Sequence, residues 1–194
     1  QIDREETAVT TLAFAALPDG ATVVTLQFAR AAKRIHINRV RGFKLNIPND
    51  LFNGGTRDYC GVGTQLTIDG RLTVSALYGG EVQIHRPPFR QIGLHSKQVW
   101  YPERGMLHCD EICIGLELTP RWYDKGETIL DFGAVVVTGT RTPAAEVLDL
   151  GGGPLRGVRV AGQDGRDYRV IANLGETEAT CEGLSLPPAT ARVL

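Results

Sequence analysis

Apolar residues recur at every second position in short runs along this chain, and several runs are broken by an Asp-Gly pair. A period of two is the signature of a strand. Asp-Gly is the strongest short-range hairpin cue, because a primed two-residue turn needs positive φ, which glycine accepts without steric cost. Leu12 and Phe14 share one face of the first run; beyond Leu17-Pro18-Asp19-Gly20 a second run puts Val24, Leu26 and Phe28 on one face, predicting a hairpin. The pattern returns from Leu66 to Val74 around Asp69-Gly70 and from Val158 to Val170 around Asp164-Gly165. Ile35 with Ile37, Phe43 with Leu45 and Ile47, and Val82 with Ile84 predict further strands. Ile112, Ile114, Leu116 and Leu118 predict one whose other face carries Cys113, Gly115 and Glu117. The nearly continuous apolar run from Ile129 to Val137 predicts a strand covered on both faces.

No stretch has a helical period; the nearest, Ala29 to Arg34, is too short to stand as a helix. Many strands punctuated by 23 glycines and 10 prolines predict an all-β fold, a large antiparallel β-sandwich with a small C-terminal β unit. The sandwich domain is expected over residues 1–150. After Gly151-Gly152-Gly153-Pro154 a C-terminal β-hairpin unit is expected over 151–194, either apart from the sandwich or completing its sheets. Loops are expected over 48–63, 86–105 and 120–126.

A chain of 194 residues can bury a core without staples, so four cysteines, Cys60, Cys109, Cys113 and Cys181, do not imply a disulfide framework. With 21 basic and 22 acidic residues, the formal net charge of -1 argues against a face built for nucleic acid or an anionic membrane. No apolar stretch approaches the roughly 20 residues of a membrane-spanning helix, so a soluble chain is expected. The opening Gln1-Ile2-Asp3-Arg4-Glu5-Glu6 is acidic where a signal peptide would be basic. It reads as the start of a mature or excised piece, with a catalytic domain or partner chain on its N-terminal side.

The densest polar cluster is Arg104 to Leu118, RGMLHCDEICIGLEL. Residues four apart on a strand lie about 13 Å apart along its axis. Cys109 and Cys113 therefore cannot share a zinc ion there, and no second Cys or His pair follows at finger spacing, so no metal is expected. Period two places His108 and Asp110 on the face later occupied by Ile112 and Ile114. A carboxylate beside an imidazole is an acid/base couple, with Tyr59 or His95 as assisting groups, and equally a structural hydrogen bond. A second cluster is aromatic and basic: His95, Lys97, Trp100, Tyr101 and Arg104 in one expected loop, Arg121, Trp122 and Tyr123 in another. Flat aromatic faces stack on sugar rings, and arginine pairs with carboxylate or sulfate; the same tryptophans could instead plug the ends of a core. Residues 49–59 hold several Asn and Asp side chains but lack the order of a calcium loop. No phosphate-binding, dinucleotide or nucleophile-elbow motif is present, and no cofactor is expected.

The stretch Asp167-Tyr168-Arg169-Val170-Ile171-Ala172-Asn173-Leu174-Gly175-Glu176-Thr177, followed by Leu186 to Leu194, resembles the closing β element of many carbohydrate-active enzymes, where a strand ending in Asn precedes a polar turn and a last apolar strand. Tyr78 to Arg86 is similar to strands of the large sandwich behind the α/α barrel in heparinase-like polysaccharide lyases. In those proteins the catalytic residues come mostly from the barrel or from the cleft between, so the resemblance implies an accessory module and assigns no catalytic residue. The lead expectation is a module that binds or orients a polysaccharide or oligosaccharide through Trp100, Tyr101, Arg104, Trp122, Tyr123 and His95, in a secreted or periplasmic setting. The alternatives are a self-contained glycan-degrading enzyme using His108 and Asp110, and a structural or assembly sandwich acting through protein contacts.

Overall fold

The turn at Asp69-Gly70 shows how the sequence sets the local structure. Both residues have positive φ, 51° and 61°, the primed geometry that matches the twist of its flanking strands β6 (Gln65–Ile68) and β7 (Leu72–Tyr78). The Asp69 carboxylate also accepts from the Asp58 N–H at 2.9 Å, fastening the short strand β5 (Tyr59–Cys60) beside β6. This computed structural model describes residues 8–40, 42–49, 57–61, 63–85, 108–139 and 143–194, and of Pro48, Asn49, His108 and Cys109 the backbone alone.

The protein is all-β, with several antiparallel sheets packing together. Strands β1 (Ala8–Ala16), β2 (Thr22–Ala31) and β11 (Thr128–Thr138) join β7, β6 and β5 in a six-stranded sheet ordered β1-β2-β11-β7-β6-β5. A three-stranded sheet, β4 (Lys44–Asn49), β9 (His108–Ile114) and β8 (Val82–His85), is ordered β4-β9-β8. A four-stranded sheet holds β12 (Ala145–Leu148), β13 (Leu155–Ala161), β14 (Asp167–Asn173) and β17 (Thr190–Val193). Two ribbons complete the described elements: β3 (Ile35–Ile37) with β10 (Arg121–Tyr123), and β15 (Ala179–Cys181) with β16 (Leu184–Leu186). Among the described residues no helix is long and apolar enough to cross a membrane.

The six-stranded sheet is the middle layer. On one face Leu66, Val74, Ala76, Phe132 and Ala134 share a core with Ile47, Ile112 and Ile114 of the three-stranded sheet. On the other, Val24, Leu26, Val135 and Val137 share a core with Val158, Val160, Val170 and Ala172 of the four-stranded sheet. Strand β11 is therefore covered on both sides, which is why its sequence runs apolar without alternation. The 150/151 division runs between β12 and β13, neighbours in one sheet. Two polar ties reinforce this layer: Arg156 of β13 grips both oxygens of Asp131 on β11, at 3.1 and 2.6 Å. Asp19, in the β1–β2 turn, accepts from the Gln163 N–H at 2.9 Å, joining two hairpin tips across layers.

Leu12 and Phe14 share one face of β1 as the alternation predicts, and it is the uncovered one, 43% and 63% exposed, while the intervening Ala13 and Ala15 are buried. Two local expectations change. The strand begun at His108 stops at Ile114, because Gly115 takes φ 66° and turns the chain. Ala29 to Ala31 end strand β2, and the expected loops over 48–63 and 120–126 contain β5 and β10.

Candidate functional site

Strand β9 carries two polar residues at the end of an apolar run, and successive residues of a strand point to opposite faces. Asp110, 4% exposed, pairs across the ladder with Ile47 and so faces the core with Ile112. Its Oδ2 accepts from the Tyr59 hydroxyl at 2.7 Å. Tyr59 reaches it from β5, which the Asp69 turn fastens in place. The structure thus brings together Asp110 and Tyr59, two of the groups named for acid/base work. His108 pairs with Asn49 in the ladder, its side chain lying outside the described residues, as does all of His95.

Glu111, 6% exposed, faces the opposite way. Its two oxygens meet Lys44 Nζ at 2.6 Å and His85 Nδ1 at 2.8 Å. A carboxylate this buried is stable when paired and hydrogen-bonded, which these two neighbours provide. The same contact fixes one ring nitrogen of His85. Sequence reasoning passes over this trio, because His85 and Glu111 meet only through the β8–β9 register, in which they stand directly opposite. Asp110 and Glu111 do not converge, so they cannot act as a paired-carboxylate site.

The β3–β10 ribbon presents the aromatic residues. Trp122 stands opposite His36, their ring centroids 5.1 Å apart, and the Arg34 guanidinium carbon lies 5.0 Å from the indole centroid. Trp122 is 58% exposed, so it plugs nothing. Tyr123, one residue on, is 3% exposed and belongs to the core beneath Arg121, whose guanidinium carbon is 4.2 Å from its ring. Glu127 holds the adjoining turn, pairing with Arg121 and accepting from the Asp124 N–H. Of the residues expected to meet a ligand, Trp122 is exposed on the ribbon and Tyr123 lies in the core on its other side. Trp100, Tyr101 and Arg104 lie outside the described residues.

An open cleft of about 330 Å³ adjoins this ribbon, with Gly79, Gly115, Glu117, Arg121, Tyr123 and Asp131 in its walls. Gly79 is required there: its φ is 85°, and a Cβ would sit 2.2 Å from the Asp131 carbonyl oxygen. The Thr119 N–H donates to Glu117 at 2.7 Å and holds that carboxyl below its ordinary range. Among the described residues, no three His, Cys, Asp or Glu side chains come together in a way that could hold a metal. No protein-family model, curated protein or solved structure matches the chain.

Proposed function

We propose that this chain is a single β-sandwich module, with its C-terminal strands as a small appended unit, that binds or orients a polysaccharide beside a separate catalytic domain. One observation carries the reading: an exposed indole, Trp122, braced by His36 and Arg34 on a two-stranded ribbon. An indole plane held by strands offers the apolar C–H face of a pyranose a stacking surface, and it is not reorganised on binding. This reading assigns Arg34 and His36, beside the indole, to hydroxyl or acidic groups of the sugar. The test is native electrophoresis of the chain through gels containing neutral or acidic polysaccharides, with polymer size checked afterwards. The expected result is retardation without shortening, lost in Trp122→Ala. Equal retardation of that variant removes the platform from the reading.

A second reading, a self-contained glycan-degrading enzyme, draws on the Tyr59–Asp110 contact. It predicts that the polymer is shortened and that Asp110→Ala and His108→Ala abolish the shortening. Activity surviving both substitutions removes it.

A further inference from the structure

We propose that strand β1 is a self-pairing edge, through which two copies of this chain join their six-stranded sheets about a twofold axis. Among the described residues β1 pairs with β2 alone and ends its sheet. The hydrogen bond from Leu17 N–H to the Thr22 carbonyl fixes which backbone groups turn toward β2. Alternation from that pair leaves the N–H and C=O of Ala8, Thr10, Leu12, Phe14 and Ala16 directed away from β2. The Thr138 N–H bond to the Ala21 carbonyl sets the same alternation independently, by committing the odd-numbered groups of β2 to β11.

Open edges are normally kept short, charged or interrupted, since they are templates for pairing with another chain. The other edges follow that rule. Strands β5 and β8 have two and four residues, β12 carries Glu146, β17 carries Arg192 and β4 carries Lys44. Strand β1 has nine residues, AVTTLAFAA, with no charge and no proline. The residues whose backbone groups point outward also expose their side chains, Leu12 at 43% and Phe14 at 63%, and Val23 on β2 extends that apolar strip.

The edge is complementary to itself. Antiparallel pairing centred on Leu12 sets Leu12 against Leu12 of the second copy, Thr10 against its Phe14 and Ala8 against its Ala16. Every outward donor then meets an acceptor, about ten bonds in all. No like charges face one another, and the large apolar side chains cluster across the axis. A closed twofold contact of this kind uses the edge completely and stops at two copies.

The experiment is sedimentation of the 194-residue chain over a concentration series, with Leu12→Lys and Thr10→Pro run alongside. Leu12→Lys places two ammonium groups opposite each other, and Thr10→Pro removes an outward N–H; neither touches the β1–β2 hydrogen bonds. The expected result is a reversible dimer whose signal is lost in both variants, while their circular dichroism and, at concentrations where the parent is monomeric, their melting stay those of the parent. The Thr10 and Leu12 amides gain exchange protection in the parent only as concentration rises. A parent that stays monomeric throughout, a dimer that survives both substitutions, or association that continues past two copies overturns the proposal.

Discussion

Replacing Asn173 removes a fully buried side-chain amide that holds the C-terminal turn. Its Nδ2 donates to the carbonyls of Thr177 and Leu186, both at 2.8 Å, and of Pro187 at 3.3 Å, while its Oδ1 accepts from the Gly175 N–H at 2.9 Å. Leu186, at the end of this network, is itself fully buried with Ile171 and Cys181. Asn173→Ala removes the partners of these groups without removing the groups. The amide has two N–H hydrogens to share among three carbonyls and one oxygen that accepts, three bonds' worth, so at about 1 kcal/mol for each the loss comes to about 3 kcal/mol. For a chain of this size that is roughly 6–12 °C in Tm. Asn173→Asp keeps the shape and the Gly175 bond but faces three carbonyl oxygens with a carboxylate. Burial and those oxygens raise the new carboxyl above its unfolded value of about 3.9. The native state then binds the proton more tightly than the unfolded state does. The deficit is full above the raised folded pKa, shrinks as pH falls through it, and is smallest below the unfolded value. Thermal melts of both variants from pH 7 to pH 3, each compared with the parent, read this directly. The alanine deficit should stay level while the aspartate deficit narrows on acidification. A Tm within a degree of the parent for alanine, or parallel pH curves for the two variants, refutes the argument.

Two further outcomes follow from carboxylates held by several partners. Glu111→Gln strips the charge that Lys44 and His85 share and should cost about 2 kcal/mol, less than a wholly buried pair because Lys44 is partly in water; urea unfolding at unchanged m-value checks it. For Asp19, burial raises the carboxyl, but the Thr22 hydroxyl and the N–H groups of Gln163, Ala21 and Thr22 outweigh it and the net direction is down. A lowered carboxyl contributes stability that is complete above its unfolded value and is lost as pH falls through the folded one. Asp19→Asn should therefore be less stable than the parent at pH 6 and lose less than the parent does between pH 4 and pH 2.

The turns and the long strands were legible because their cause is local. Asp69-Gly70 needs no neighbour to specify it, and β11 announces burial on both faces by its own composition. The exposed face of β1 was not legible, because both of its faces are apolar. Leu12 and Phe14 are the larger pair, yet it is Ala13 and Ala15 that the four-stranded sheet covers. Strand β10 has three residues, less than two full alternations, so its own sequence assigns Trp122 and Tyr123 no face, and the pairing with β3 does. The Asn that ends β14 was visible as part of a pattern, but its work is done by contacts thirteen residues away. Lys44, His85 and Glu111 come from three strands far apart in sequence, and only their common register brings them to one point.

The orientation of Trp122 rests on a single extra residue. Along β2, the odd-numbered residues Ala29 and Ala31 face the core shared with the three-stranded sheet, and Ile35 and Ile37 of β3 pack on that core with the same parity. Their partners change parity: Leu130, Phe132 and Ala134 of β11 are even and Tyr123 of β10 is odd, yet all belong to that core. The switch occurs at the bulge between Thr128 and Leu130, where the register with β2 slips by one residue. The ribbon, with Trp122 opposite His36, continues the slipped register. A one-residue slip exchanges the two faces of a strand. Deleting Ile129 should therefore turn Trp122 inward and Tyr123 outward while leaving every aromatic residue in the chain. In a Trp100→Phe background, where Trp122 is the only indole, acrylamide quenching should fall and the emission should move to the blue. Retardation by polysaccharide should be lost as in Trp122→Ala. Unchanged quenching in a folded deletion variant would mean that the 124–127 turn absorbs the missing residue, and that the bulge does not decide which aromatic side chain faces out.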